Sequence, residues 1–481
     1  MRPLEILLAS LVGIYLVGSL TPLPIETELR TLPLLAMLVI ILHLFTEKYR
    51  WQMVLLYALG GILFFRVTLY GSQGGQSIAW SMGGLLLLLP AIILPAILPV
   101  PKPTPPRGPH RVGTRTYALV DGTREELYSG KREPRRIIIQ IWYPALIEHT
   151  AKQAAWMPGA KPLARAISKW LKFPPFFLDH ISLARSNSYL DAPIDRSATP
   201  FPLLFFSHGW GGFRAQNTYQ VQELASHGYV VVGMEHPYGA VMSLFPDGSL
   251  IPINHDALPY QQPGLNYDVA ARQLGQQWAK DISFALDFMS RMNAQDTDGS
   301  FKATLDLQKV GVLGHSTGGG AIAQFCANDP RCKAGFAEDI YMPPISEKTL
   351  EEGLKKPFAT MFSQVWSEDV NSGNNQLFHQ LADRSSPRPI SMHIVGTNHY
   401  DFTDLPALSP LAHTMGLKGP IQGKRVQKII NSYSLAFFDW QFKGGASSLL
   451  EQPSPQYPEV IFDSVQSPQG GIVKNDPRSA T

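Results

Sequence analysis

The stretch "VGVLGHSTGGGAIAQF", residues 310–325, decides the fold of this chain. Val310 to Leu313 form a continuous apolar run, the pattern of a strand buried on both faces of a parallel sheet. Gly318 to Gly320 supply small residues where a helix must start tightly against that strand. Ser316 stands at the junction. The pentapeptide Gly314-His315-Ser316-Thr317-Gly318 fits G-x-S-x-G, in which flanking glycines permit a strained turn that exposes a hydroxyl at a helix N-terminus. In a chain with 40 glycines among 481 residues the match alone is cheap, and a strand-to-helix turn with a capping serine has the same spelling. The surrounding sequence has to decide.

From about 110 to 450, short apolar runs alternate with helical patterns. "RRIIIQIWYP", "FPLLFFSHG", "YVVVGMEHP", "VGVLGHS", "KAGFAED", "FATMFSQV" and "PISMHIVGT" predict strands. "NTYQVQELASHG", "WAKDISFALDFMSRM", "GGGAIAQFCAND" and "RVQKIINSYSLAFFDWQF" predict helices between and after them. The alternation predicts an α/β domain, a mostly parallel sheet covered on both faces. In such a sheet a nucleophilic serine needs a base held by a carboxylate, and the α/β-hydrolase chain order is Ser, then Asp or Glu, then His. Downstream of Ser316, "AGFAEDIYMPP" ends a strand with Glu338 and Asp339, and "MHIVGTNHYDFTD" ends another with His399. Side chains at the carboxyl ends of parallel strands converge on one crevice. "FFSHGWGGF", residues 205–213, follows a strand and has the His-Gly pattern of a turn that presents a backbone N–H to a developing oxyanion. That nominates the amides of Trp210 and Thr317, with His208 fixing the loop.

Charge is unevenly spread. The first 100 residues hold five Lys/Arg and four Asp/Glu, against 36 and 34 in the other 381. Four apolar spans are predicted, Ile6–Leu20, Leu32–Phe45, Trp51–Tyr70 and Ile78–Val100, with three as the alternative count. They carry no embedded acid, so they predict an anchor rather than an ion pathway. The positions of Arg2, Lys48, Arg50, Lys102, Arg107 and Arg111 predict a cytoplasmic C-terminal domain with Cys326 and Cys332 reduced; their spacing equally allows a disulfide. The predicted organisation is an anchor at 1–100, a Pro-rich spacer at 101–110, a catalytic domain at 111–450 and a loose polar tail at 451–481.

"FFSHGWGGFRAQNTYQVQELASHGYVVVGMEHP", "VGVLGHSTGG", "KAGFAEDIYMPP" and "GTNHYDFTDLP" resemble stretches of the platelet-activating factor acetylhydrolase family, within the α/β-hydrolase superfamily. The resemblance covers about 135–443. It implies an α/β-hydrolase fold, Ser316 as nucleophile, Asp339 rather than Glu338 as the acid and His399 as base. The chain departs from the family at Thr317, where an aromatic or small apolar residue is usual, at "EDIYMPP", and in its hydrophobic N-terminus. The implied chemistry is acyl transfer to Ser316 followed by hydrolysis. No metal, cofactor or nucleic acid is expected, and the sequence leaves the oligomeric state open. A catalytically dead receptor of the same fold is the alternative class.

An insertion at 157–190 carries Leu163, Ala166, Ile167, Trp170 and Leu171 on one predicted helical face, with Lys161, Arg165, Lys169 and Lys172 elsewhere. Such a helix is expected to lie on a membrane surface or to cover the crevice, with an ordinary packed surface helix as the alternative. Trp210, Tyr341 and Met342 are expected to bound a pocket for a short acyl group. The expected partners are a lipid or other lipophilic ester and the bilayer that delivers it, with soluble or polyester substrates as the alternative.

Overall fold

A computed structural model describes residues 1–21, 26–70, 78–259, 266–295, 300–369, 372–445 and 448–463. At the N-terminus α1 (Pro3–Gly18), α2 (Glu26–Thr46), α3 (Val54–Tyr70) and α4 (Ile78–Ile97) pack as a bundle. Leu8, Val12, Leu16, Leu56, Leu63 and Leu88 fill its interior, while Leu38, Phe45, Phe65, Leu86 and Leu89 point outward. Helices apolar on every side have no polar face to turn to water. Helices α2, α3 and α4 are long and apolar enough to cross a membrane; α1, with 16 residues, is shorter.

The sequence showed no acid inside the spans, yet Glu5 is buried at the start of α1. Arg50 donates to both its oxygens, at 2.7 and 2.6 Å, and also to the Leu98 carbonyl at 2.6 Å. A bidentate pair of this kind satisfies both charges away from water. The same end of the bundle meets the catalytic domain. Trp51 Nε1 donates to the Phe177 carbonyl at 3.0 Å, and Ser409 Oγ donates to that of Ile97 at 2.6 Å.

The chain then builds β1 (Arg111–Glu125), β2 (Pro134–Ala145), β3 (Gln153–Ala155), α5 (Ala160–Trp170), β4 (Arg185–Leu190), β5 (Phe201–Ser207), α6 (Thr218–Ser226) and β6 (Val230–Glu235). A ribbon of β7 (Met242–Leu244) and β8 (Leu250–Pro252) leads to α7 (Tyr267–Gln295), β9 (Leu305–His315), α8 (Thr317–Asn328) and β10 (Cys332–Glu338). After these come α9 (Glu347–Glu352), β11 (Phe358–Ser363), α10 (Gln364–Glu368), α11 (Gly373–Arg384), β12 (Ile390–Ile394), α12 (Gly423–Lys443) and β13 (Val460–Phe462). One sheet has the order β13-β12-β11-β10-β9-β5-β6-β2-β1-β4-β3. Its centre, from β6 through β5, β9, β10 and β11 to β12, is parallel.

Strand β5 shows how both faces are used. Leu204 and Phe206 pack with Tyr433 and Phe438 of α12, whereas Leu203 and Phe205 pack with Ile282 and Leu286 of α7. The two-residue period sends alternate side chains to opposite faces, so a strand apolar throughout needs helices on each. This is a mixed α/β sheet with helices on both faces, and the predicted central strands and the four predicted helices, α6, α7, α8 and α12, are in place.

Three expectations change. The spacer at 101–110 is pinned to the catalytic domain: Arg107 bonds Glu223 through its backbone N–H and its Nε at 2.9 and 3.0 Å, and Thr104 Oγ1 donates to Gln427 Oε1 at 2.8 Å. The predicted tail starts too early, because Tyr457 and Val460 are buried and β13 extends the sheet beside β12; residues 464–481 lie outside the described residues. Cys326 and Cys332 are joined in a disulfide, with Cα atoms 5.1 Å apart, which corrects the expectation of reduced thiols. Helix α8 runs back antiparallel to the sheet and a short turn brings its end to the start of β10, so the two cysteines meet.

Candidate active site

Ser316 is the single residue between β9 and α8 and takes φ 55° and ψ −123°. A non-glycine residue there is strained and must be held by its surroundings. Its N–H donates to the Glu338 carbonyl at 2.9 Å, and its own carbonyl accepts from the N–H of Tyr341 at 3.0 Å. The glycines of the motif answer to packing. A Cβ on Gly318 would lie 2.2 Å from the Ser207 carbonyl oxygen, and one on Gly314 would lie 2.7 Å from that of Gly318.

Strand alternation separates the two neighbouring acids. Asp339 Oδ2 lies 3.0 Å from His399 Nδ1, while its Oδ1 accepts from the Ser363 N–H at 2.5 Å. Glu338 points the other way and accepts from Gln220 Nε2 at 2.5 Å and Asn217 Nδ2 at 3.0 Å. The bond to the buried carboxylate leaves Nε2 of His399 for other work. Trp366 stacks on the His399 ring at 4.4 Å with planes 8° apart. On its other side His315 Nε2 donates to the His399 carbonyl at 3.0 Å, and Gln216 Nε2 donates to His315 Nδ1 at 3.1 Å. Burial holds His315 well below the usual histidine range, so it stays a neutral prop. These three supports were not singled out from the sequence. His315 lay in view as a variable position of G-x-S-x-G, whereas Gln216 and Trp366 gave no local signal.

Ser316 and His399 share the wall of a cavity of about 210 Å³ with Ile167, Trp170, Trp210 and Leu405. The amides of Trp210 and Thr317 have no hydrogen-bond partner among the described residues. Trp170 packs close enough to Gly211 that a Cβ there would lie 2.7 Å from its ring. Helix α5 thus covers the crevice, with Leu163, Ala166 and Ile167 buried and Lys161, Arg165 and Lys169 in solvent. Two expected pocket residues are elsewhere. Met342 is fully buried in the core, and the Tyr341 hydroxyl lies 2.5 Å from that of Tyr267; neither lines this cavity. After Asp339 the chain turns down along α8, where the Tyr341 carbonyl meets Gly320, and this carries both side chains away from the crevice. A larger groove of about 1110 Å³, lined by His110, Arg111, Lys152 and Arg185 among others, shares no residue with the serine cavity.

Burial pushes the Glu338 carboxyl up to about 8, aided by the charge of Asp339 and opposed by the bonds from Gln220 and Asn217. An unfolded glutamate titrates near about 4.3, so between there and about 8 the folded chain holds a proton that the unfolded chain has released. This contribution to stability is full below the unfolded value and is lost as pH rises through the folded one. Glu338→Gln is expected to flatten the decline in unfolding free energy from pH 5 to 8, measured by chemical denaturation. An unchanged slope would contradict the assignment.

Residues 101–444 match the sequence model of the family described as platelet-activating factor acetylhydrolase, isoform II. The platelet-activating factor acetylhydrolase of Cavia porcellus is 28% identical over 317 residues, which cover 62% of this chain and 71% of that protein. A probable 1-alkyl-2-acetylglycerophosphocholine esterase of Arthroderma benhamiae is 24% identical over 395 residues, covering 77% of this chain and 95% of its own. Among solved structures, a ferulic acid esterase from Streptomyces cinnamoneus superimposes with a TM-score of 0.62 at 25% identity, over 76% of this chain and all of that one. The family match contains the strained serine, the aspartate beside the histidine and the glycine-rich loop that faces them: the chain belongs to the platelet-activating factor acetylhydrolase family and is a carboxylic ester hydrolase.

Proposed function

We propose that this protein is a membrane-anchored serine hydrolase that removes short or oxidised acyl chains from phospholipids or other lipophilic esters. His399 Nε2 takes the proton of Ser316 Oγ as the hydroxyl attacks the ester carbonyl, and Asp339 holds the ring and balances the imidazolium charge. The N–H groups of Trp210 and Thr317 receive the oxyanion. Collapse expels the alcohol with the proton from His399; water activated by the same histidine then frees the acid and restores Ser316.

The observation that carries the reading is the Asp339–His399 contact on a cavity that also exposes Ser316. A volume of about 210 Å³ is below the roughly 300–1,000 Å³ of pockets for drug-sized ligands, which supports a short acyl group. The printed names of the relatives, which concern an acetyl ester of a glycerophosphocholine, support the same class. The anchor is supported by the three long apolar helices and by their docking beside Phe177, close in sequence to the cavity residues Trp170 and Leu171. The disulfide supports an oxidising side of the membrane for the catalytic domain, against the distribution of Lys and Arg.

The test uses full-length protein with esters of two to sixteen acyl carbons, offered in liposomes and in water. Rates are expected to fall with chain length and to be higher on liposomes, since each added methylene needs apolar wall for about 0.8 kcal/mol. Preference for long chains, or equal rates in both media, would contradict the assignment. Peptide mapping of the same protein under thiol-blocking conditions is expected to show Cys326 linked to Cys332; two free thiols would return the domain to the cytoplasmic side.

A further inference from the structure

The loop that faces Ser316 is held almost completely. Gly209 N–H donates to Gln216 Oε1 at 3.2 Å, Gly211 N–H to the Gly239 carbonyl at 2.9 Å, and Val241 N–H to the Gly212 carbonyl at 3.0 Å. The Gly209 carbonyl receives two donors, the Gly212 N–H at 2.9 Å and His208 Nδ1 at 2.7 Å. That carbonyl belongs to the same planar peptide as the Trp210 N–H, and the two point in opposite directions. Clamping the oxygen therefore fixes the direction of the N–H.

The donor role of His208 Nδ1 is itself fixed from behind. His208 Nε2 lies 3.2 Å from the backbone N–H of His236 and must accept from it, so the ring proton sits on Nδ1. His236 is in turn immobilised. Its Nδ1 lies 2.9 Å from Asp281 Oδ2, its Nε2 lies 3.1 Å from Ser207 Oγ, and Trp278 stacks on its ring at 4.3 Å. Ser207, His236 and Asp281 repeat the Ser-His-Asp arrangement, but all three are fully buried and no ester can reach them. Burial keeps His208 far below the ordinary histidine range, down to about 3, which removes it from proton transfer.

We infer that His208 is a positioning residue: its Nδ1–H locks the Gly209–Trp210 peptide with the Trp210 N–H aimed at the oxyanion site, and the buried Ser207–His236–Asp281 array sets the tautomer that makes this possible. The inference rests on the serine-esterase reading above and goes beyond it, because it assigns the loop's orientation to a side chain that touches no substrate.

Two amide substitutions separate its two bonds. Asn at 208 places an N–H near Nδ1 and loses the acceptor for His236, whereas Gln places its amide near Nε2 and loses the donor to Gly209. In full-length enzyme, His208→Asn is expected to melt at a lower temperature yet keep kcat on 4-nitrophenyl acetate within about threefold of the wild type. His208→Gln is expected to lose roughly 10- to 100-fold in kcat with KM within about twofold, less than the full 10²–10³ for a deleted oxyanion donor because Gly212 still holds the carbonyl. A trifluoromethyl ketone, which forms an oxyanion on Ser316, is expected to bind His208→Gln more weakly by a similar factor, with the midpoints of the pH–rate profile unmoved. If His208→Gln does not fold, His208→Phe carries the same expectation. Equal losses in the Asn and Gln variants, or a rise in KM alone, would overturn the inference while leaving the esterase reading intact. A wild type without esterase activity would instead overturn that reading. Crystals of His208→Gln test the inference without activity: the Gly209–Trp210 peptide is expected to rotate, and an unchanged peptide overturns the role of His208.

Discussion

Replacing Ser316 by Ala is expected to lower kcat on a short-chain nitrophenyl ester by about 10³ or more, with His399→Ala equally severe and the double variant little worse. Non-additivity follows from the chemistry, since a base with no nucleophile to deprotonate and a nucleophile with no base fail at the same step. Asp339→Asn is expected to cost about 10³–10⁴, because a neutral amide at 3.0 Å from His399 Nδ1 neither enforces the working tautomer nor balances the imidazolium. The neighbouring acid is the control. Glu338 faces Asn217 and Gln220 on the other side of the strand, so Glu338→Gln should leave kcat close to that of the wild type. A crippled Glu338→Gln beside an active Asp339→Asn would reverse the assignment.

Arg135→Met is expected to destabilise the fold by about 3–5 kcal/mol in chemical unfolding, the largest loss of stability we anticipate from one side chain. The Arg135 guanidinium is fully buried and donates to Asp281 at 2.7 and 3.2 Å and to Glu126 at 2.5 Å. Methionine fills much of the same volume but leaves two carboxylates with less compensation, Asp281 keeping Arg124 at 2.9 Å. A loss under about 1 kcal/mol would mean that water or neighbours compensate the charges, and the array behind His208 would then not be rigid.

The central strands were legible because strands buried on both faces carry continuous apolar runs, as Ile137–Ile139 of β2, Leu203–Phe206 of β5, Val230–Val232 of β6 and Val310–Leu313 of β9 do, whereas β12 is only partly buried. Strand β1 was missed. Its buried and exposed positions are mixed along Arg111–Glu125, and Asp121-Gly122 reads as a turn although the strand runs through it, pairing with β2 along most of its length. The tail was misjudged for a related reason, since a three-residue strand such as Val460–Phe462 has no periodicity to detect. Of the candidate site, Ser316, the Glu338–Asp339 pair and His399 were readable from motif and chain order, while the choice of Asp339 over Glu338 came from the family resemblance. Tyr341 and Met342 were misplaced because adjacency to Asp339 in the chain says nothing about the direction of the following turn. The supports of His208 were unreadable in principle: its ring accepts from the backbone N–H of His236, whose own ring is held by Asp281 on α7, a helix with no motif at that position. Glu5 was hidden differently, lying one residue ahead of the apolar run that defined the first span.

A fluorophosphonate probe tests the central claim most directly, because it forms a covalent bond only with a serine activated as a nucleophile. Full-length wild-type protein is expected to be labelled, with the adduct mapping to Ser316 by peptide mass spectrometry and labelling abolished in Ser316→Ala. A folded wild type that takes up no probe, or an adduct on any other serine, would contradict the account.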